Sequence, residues 1–218
     1  MAYPTVNKPY GLLPVNLIGG QVFAGSTRLM SIASGYGTDI FFGDVVKRAS
    51  NGTIEKDTGT STATPVGIFM GCTYTNPSTK QKLFYQSYPA GTSASDIQAY
   101  VADDPDVLFK VASVSTGTTV AFYGPALVGE NAVLVQNAGS NNTGDSAVGI
   151  FGGNTATTAS FPVRIVDFVP DTGNSSNGYC EWICKFNAPY AVSTFSSPGN
   201  TVATVMTGGH QYLNPTGV

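Results

Sequence analysis

Hydrophobic and polar positions alternate along much of this chain with a period of two, and Gly, Pro, Asn and Ser break the pattern at roughly ten-residue intervals. Val107, Phe109 and Val111 fall on one face, with Lys110 on the other. Between Tyr179 and Phe186 the even positions are Cys180, Trp182, Cys184 and Phe186, while Glu181 and Lys185 fall between them, as in a half-buried strand. The same reading predicts strands over Pro65–Tyr74, Lys82–Tyr88, Ile97–Ala102, Val107–Val114, Thr119–Tyr123, Asn131–Val135, Phe161–Phe168 and Thr201–Met206. Short strands at this spacing indicate a sandwich or a barrel. The expected class is all-β, with one short helix allowed from Thr143 through Phe151.

The turns sharpen the picture. Asn51-Gly52 is a hairpin signal, read as a type I′ turn between Gly43–Lys47 and Thr53–Lys56, and Asn177-Gly178 is a second one. Residues 1–25 read differently. Pro4, Pro9 and Pro14 recur every five residues, with Tyr3, Tyr10, Leu12, Leu13, Leu17 and Ile18 among them. Proline at this density opposes helix and central-strand pairing. The segment is read as an extended arm whose apolar residues lie on a partner or along the chain's own barrel. A single β domain over 26–188 follows, in a first block 26–123 and a second block 124–188, and 189–218 forms a C-terminal strand and tail. Val66-Gly67-Ile68-Phe69 recurs as Val148-Gly149-Ile150-Phe151, but the flanks do not align, so the recurrence is read as coincidence.

Composition narrows the function classes. Of 218 residues only 11% are charged, against about 25% in ordinary soluble domains. So few charges suit a surface covered in an assembly better than a free monomer. Ten Lys and Arg and a net charge of -3 argue against nucleic acid as a partner. No apolar run approaches the length of a bilayer span, so no membrane is expected as a partner. Met1–Leu13 lacks the charged and apolar regions of a secretory signal, and synthesis in a cytoplasm is expected.

Candidate chemistry is sparse. Cys180 and Cys184 lie about 13 Å apart along a strand, too far for a disulfide. Together with Cys72 they read as small apolar core thiols. The one histidine, His210, sits in a Gly/Asn/Pro-rich tail without a Gly-x-Ser-x-Gly partner, and reads as a hydrogen-bonding tail residue. Asp103, Asp104 and Asp106 around Pro105 are good turn chemistry, and a cation is the lesser reading. Gly149, Gly152 and Gly153 lack phosphate-cradle spacing, and Lys80 with Lys82 is a sparse pair. Tyr85, Tyr88, Tyr100 and Tyr123 read mainly as core or interface residues, with sugar stacking as the alternative. No catalytic, cofactor or metal residue is assigned.

The stretch from Gly43 to Gly71 carries a resemblance. Gly43-Asp44-Val45-Val46-Lys47, an Asn-Gly hairpin, a Thr/Ser stretch and Thr64-Pro65-Val66-Gly67-Ile68-Phe69-Met70-Gly71 resemble the core of tailed-bacteriophage head decoration (cement) proteins. The whole chain resembles virion structural proteins of marine podoviruses. The resemblance implies a compact β-barrel or β-tulip-like domain with an extended N-terminal arm. It also implies a non-enzymatic homotrimer on the capsid exterior at three-fold or quasi-three-fold positions, made in the host cytoplasm, with the major capsid protein as partner. By it Tyr3, Pro4, Pro9, Tyr10, Leu12, Leu13, Pro14, Leu17 and Ile18 form a capsid-contacting arm. The alternative within the same class is a head fibre, a tail protein or a host-surface or glycan-binding module.

Overall fold

A computed structural model describes residues 7–173, 175, 178–188, 190–194, 203–207 and 209–213. Among the described residues the chain is nearly all β, with no helix of seven or more residues, and it contains a closed five-strand barrel. The barrel is built on β8 (Val107–Thr116), the longest strand. The chain first lays down β1 (Leu13–Leu17), β2 (Arg28–Ser31), β3 (Val45–Arg48), β4 (Ile54–Lys56), β5 (Gly67–Thr75), β6 (Lys82–Tyr85) and β7 (Gln98–Ala102). After β8 come β9 (Thr119–Val120), β10 (Asn131–Val135), β11 (Gly149–Ala156), β12 (Val163–Phe168) and β13 (Glu181–Phe186). A separate hairpin, β14 (Tyr190–Thr194) with β15 (Ala203–Thr207), ends the strand series.

Two sheets share the work. In the first, the order β8-β11-β10-β12-β13 closes through a β13–β8 pairing, and β1 adds to β8 beside the barrel. The β8–β11 pair is parallel, and the other barrel ladders are antiparallel. The second sheet has the order β2-β7-β5-β3-β4, with β6 on β5. The chain therefore passes from sheet to barrel at Asp103–Asp106, whereas the sequence reading divides its two blocks at Gly124. The strand register explains the difference: β8 belongs with β10–β13, which no local pattern announces.

Two buried clusters fill the fold, and the barrel cluster also takes in Val45, Ile68 and Ala102 of the second sheet. Trp182, Phe109, Phe186, Val111, Leu134 and Ile165 lead the barrel cluster, all 1% exposed or less. Tyr88, Phe69, Ile40, Ile54, Ile97 and Met30 lead the sheet cluster. Burying side chains of this size is worth about 1.5–3 kcal/mol each. Glycines permit the tightest approaches. A Cβ on Gly67 would collide with the Ala102 carbonyl across β5–β7. One on Gly149 would come within 2.9 Å of the Val114 side chain.

Three local readings need correction. Residues 143–151 form no helix: Gly149 opens β11, and Val148 and Ile150 are buried in the barrel core. The Asn51-Gly52 hairpin joins β3 to β4 as expected, but Gly52 alone has positive φ (82°). Its N–H donates to the Ala49 carbonyl at 2.9 Å, as in a type I turn followed by a left-handed glycine rather than a type I′ turn. Strand structure after β8 stops at Val120, short of the expected Tyr123. Asn177 of the second turn lies outside the described residues, as do Thr201 and Val202 of the expected tail strand.

Candidate functional site

The arm is seated on the chain's own barrel from Pro9 onward. Leu12 is fully buried in the barrel cluster, and Pro9 is buried too. Gly11 (φ 84°) takes a conformation only glycine adopts easily, because a Cβ there would lie 2.7 Å from the Gly43 carbonyl and from Ser146. The Leu12 N–H donates to that same carbonyl at 3.0 Å, and the Gly11 N–H to Val148 at 3.1 Å. Leu13, Pro14 and Leu17 lie half-buried in β1, paired to β8. Ile18 is half exposed, while Tyr3 and Pro4 lie outside the described residues. The arm turns back after β1 through an Asn16–Val22 bridge. Val15, Ile18 and Val22 there are 37%, 50% and 77% exposed, an apolar turn facing solvent.

A buried acid holds the arm root. Alternation places Glu181 on the polar side of β13, yet it is 1% exposed. Tyr10 covers it and donates its hydroxyl to Glu181 Oε1, with Lys110 Nζ 3.6 Å from that oxygen. Burial, then the neighbouring Glu181 carboxylate, pushes the Tyr10 phenol far above its ordinary range. No local pattern marks this burial, because the cover comes from residues far away in the chain.

The Gly-Asp element of the 43–71 stretch is a structural keystone. Asp44 is fully buried. Its Oδ2 accepts from the Phe41 N–H at 2.9 Å and from Lys56 Nζ at 2.8 Å. Its Oδ1 accepts from the Ser146 hydroxyl at 2.6 Å, which ties β3 to the segment entering β11. Nearby, burial raises the Asp57 carboxyl above its ordinary range, opposed by N–H bonds from Gly59 and Thr64 at 2.8 Å each.

The other candidates disperse. Asp103 pairs with Arg28 at 3.0 Å, Asp106 with Lys185 at 2.5 Å, and Asp104 accepts the Asp106 N–H at 2.8 Å. No group of three metal-ligating side chains occurs among the described residues. All three cysteines are buried and free, and burial pushes the Cys72 thiol up to about 12. His210 is fully buried, and its Nδ1 accepts the Tyr212 N–H at 3.3 Å. Tyr88 is core and Tyr123 packs on Trp182. Tyr85 and Tyr100 instead line an open groove of about 430 Å³ with Phe84, Met70 and Gln86. Phe84 is 70% exposed there, and Tyr85 stacks on Tyr74 at 5.6 Å. No helix among the described residues is long and apolar enough to cross a membrane.

The fold defines a closed five-strand barrel joined to a second, six-stranded sheet and seated by its own arm. No protein-family model, curated protein or solved structure matches the chain.

Proposed function

We propose that this chain is a non-enzymatic virion structural protein that decorates and cements a phage capsid by binding the major capsid protein, acting as a homotrimer on the capsid exterior. The observation that carries the reading is the arm: its root is locked to the barrel while its turn offers Val15, Ile18 and Val22 to solvent. A fixed apolar knob, repeated around a symmetry axis, gives avidity without a deep pocket. The resemblance over Gly43–Gly71 and the low charge of 11% support the same role. The titratable groups described above are engaged in structural contacts that tie strands and loops together, which suits a scaffold better than a catalyst. Because Leu12 is core and Leu13–Leu17 is a strand, deleting the arm would damage the fold, so point changes are the cleaner probe. The test is co-sedimentation with shells of the parent phage. Wild type should saturate them, and Ile18→Asp with Val22→Asp should weaken binding at least tenfold while the circular dichroism spectrum is kept. Equal binding by the variant would remove the arm from the interface.

The groove favours a second reading, a host-surface or glycan-binding module. Its lining offers aromatic faces and a Gln86 amide whose Nε2 is held by Asp145 Oδ1 at 2.6 Å, leaving its carbonyl to accept. Glycan binding by the free protein that is lost in Phe84→Ala would favour this reading over the first.

A further inference from the structure

The C-terminal segment Gly209–Tyr212 is a strap across the junction of sheet and barrel. The Gly209 N–H donates to the Ala63 carbonyl at 3.0 Å and the Gln211 N–H to Pro65 at 2.7 Å, both on the sheet side. The Arg48 N–H of β3 donates to Gln211 Oε1 at 2.6 Å. On the barrel side the His210 N–H donates to the Asn187 carbonyl at 2.8 Å. That last bond closes the base of the excursion that contains β14 and β15.

His210 is the centre of the strap. Its ring is fully buried between Phe186, 6.3 Å away, and Tyr212, 5.3 Å away. With Nδ1 accepting from Tyr212, the neutral ring carries its proton on Nε2, a buried donor that makes no well-formed hydrogen bond among the described residues and faces the Asp103 backbone. The charged and titratable groups around it come from every packed element. Asp103 and Asp104 of the crossover turn favour an imidazolium, and Lys185 of β13 opposes it. Arg28 of β2 neutralises Asp103 and lies 5.5 Å over the Tyr212 ring, while Arg48 of β3 bonds toward Tyr212 and Gln211. Protonating Nδ1 would remove the acceptor of the Tyr212 N–H and place a charge in an apolar seat.

We propose that His210 is a proton-operated clasp: on acidification the Gly209–Tyr212 strap leaves the sheet–barrel junction and opens the base of the β14–β15 excursion while the barrel stays folded. Burial holds the His210 imidazole down at about 4, against 6.5 when free. Opening should therefore become about 30-fold easier between about pH 7.5 and about pH 5. The test is amide hydrogen–deuterium exchange on the full chain at those two pH values, corrected for intrinsic exchange. Protection at Gly209, His210 and Gln211 should fall about 30-fold, and at the lower pH should be at least tenfold below that of β13. His210→Phe should abolish the pH dependence. Strap protection that does not change with pH, or that equals β13 at both values, would overturn the proposal. So would a pH dependence that survives in His210→Phe. If His210→Phe does not fold, His210→Gln and the wild-type comparison of strap with β13 decide the matter.

Discussion

The barrel and the sheet solve the same problem to different degrees. The barrel joins β13 to β8 and leaves none of its five strands with an unpaired side, apart from what β1 and β9 add to β8. Its interior is filled by Trp182, Phe109 and Phe186. The sheet is only pinned together: its end strands β2 and β4 share no ladder and meet through the single Ile32–Ile54 bridge just beyond β2. Its outer side exposes Leu29 (54%) and Phe84 (70%). Closure removes edges that would otherwise recruit other chains. The difference teaches that the barrel supplies rigidity, while the sheet and the arm turn supply surface. They are coupled by apolar packing, with Val45, Ile68 and Ala102 of the sheet in the barrel cluster, and by polar contacts such as Asp44 with Ser146 and the strap with Asn187.

The largest effects should separate interior from surface. Trp182→Ala should cost about 3–5 kcal/mol in denaturant unfolding, because it empties the centre of the barrel. A loss under about 1 kcal/mol would mean that the barrel core is not the stabilising unit. Asp44→Ala strands the Lys56 ammonium, whose side chain is only 9% exposed, and should cost about 3–5 kcal/mol. Asp44→Asn, which keeps the Ser146 and Phe41 contacts, should cost less. If both variants cost the same, the coupling role of the Ser146 bond is wrong.

Tyr10→Phe removes the hydroxyl donor from buried Glu181 and should cost about 1.5–3 kcal/mol, read by the same titration. The His210 contribution has a defined sign. Its folded pKa, about 4, lies below the free value of 6.5, so the neutral form is favoured in the folded chain. Its stabilisation is whole above pH 6.5 and shrinks by about 1.4 kcal/mol per unit as pH falls toward about 4, where the dependence ends. Subtracting the unfolding profile of His210→Phe from that of wild type should isolate this slope. The smallest effect is expected at the sheet surface: Phe84→Ala should change stability by less than about 0.5 kcal/mol. A larger loss would mean that the exposed ring is part of the sheet core.

Much of the fold was legible in the sequence because strands write their burial locally. Even positions from Cys180 to Phe186 are buried as alternation requires, and β8 and β10 lie where their apolar runs predict. What stayed illegible depends on distant segments. Glu181 reads as solvent-facing until Tyr10 and Lys110 cover it from outside the barrel. The parallel β8–β11 pairing and the closing β13–β8 ladder have no local mark. Thr143-Gly144-Asp145-Ser146 resembled a helix start, yet the chain runs on into β11, where Gly149 serves a close approach to Val114. His210, read as a tail residue, lies fully buried because the tail returns to the junction.

The most direct test of the decoration role is an electron cryomicroscopy reconstruction of the parent virion with this fold fitted into the shell. The account predicts density for the chain on the capsid exterior at three-fold or quasi-three-fold positions, with the Val15–Val22 turn against the major capsid protein. Density confined to the tail, or a shell without this chain, would contradict it.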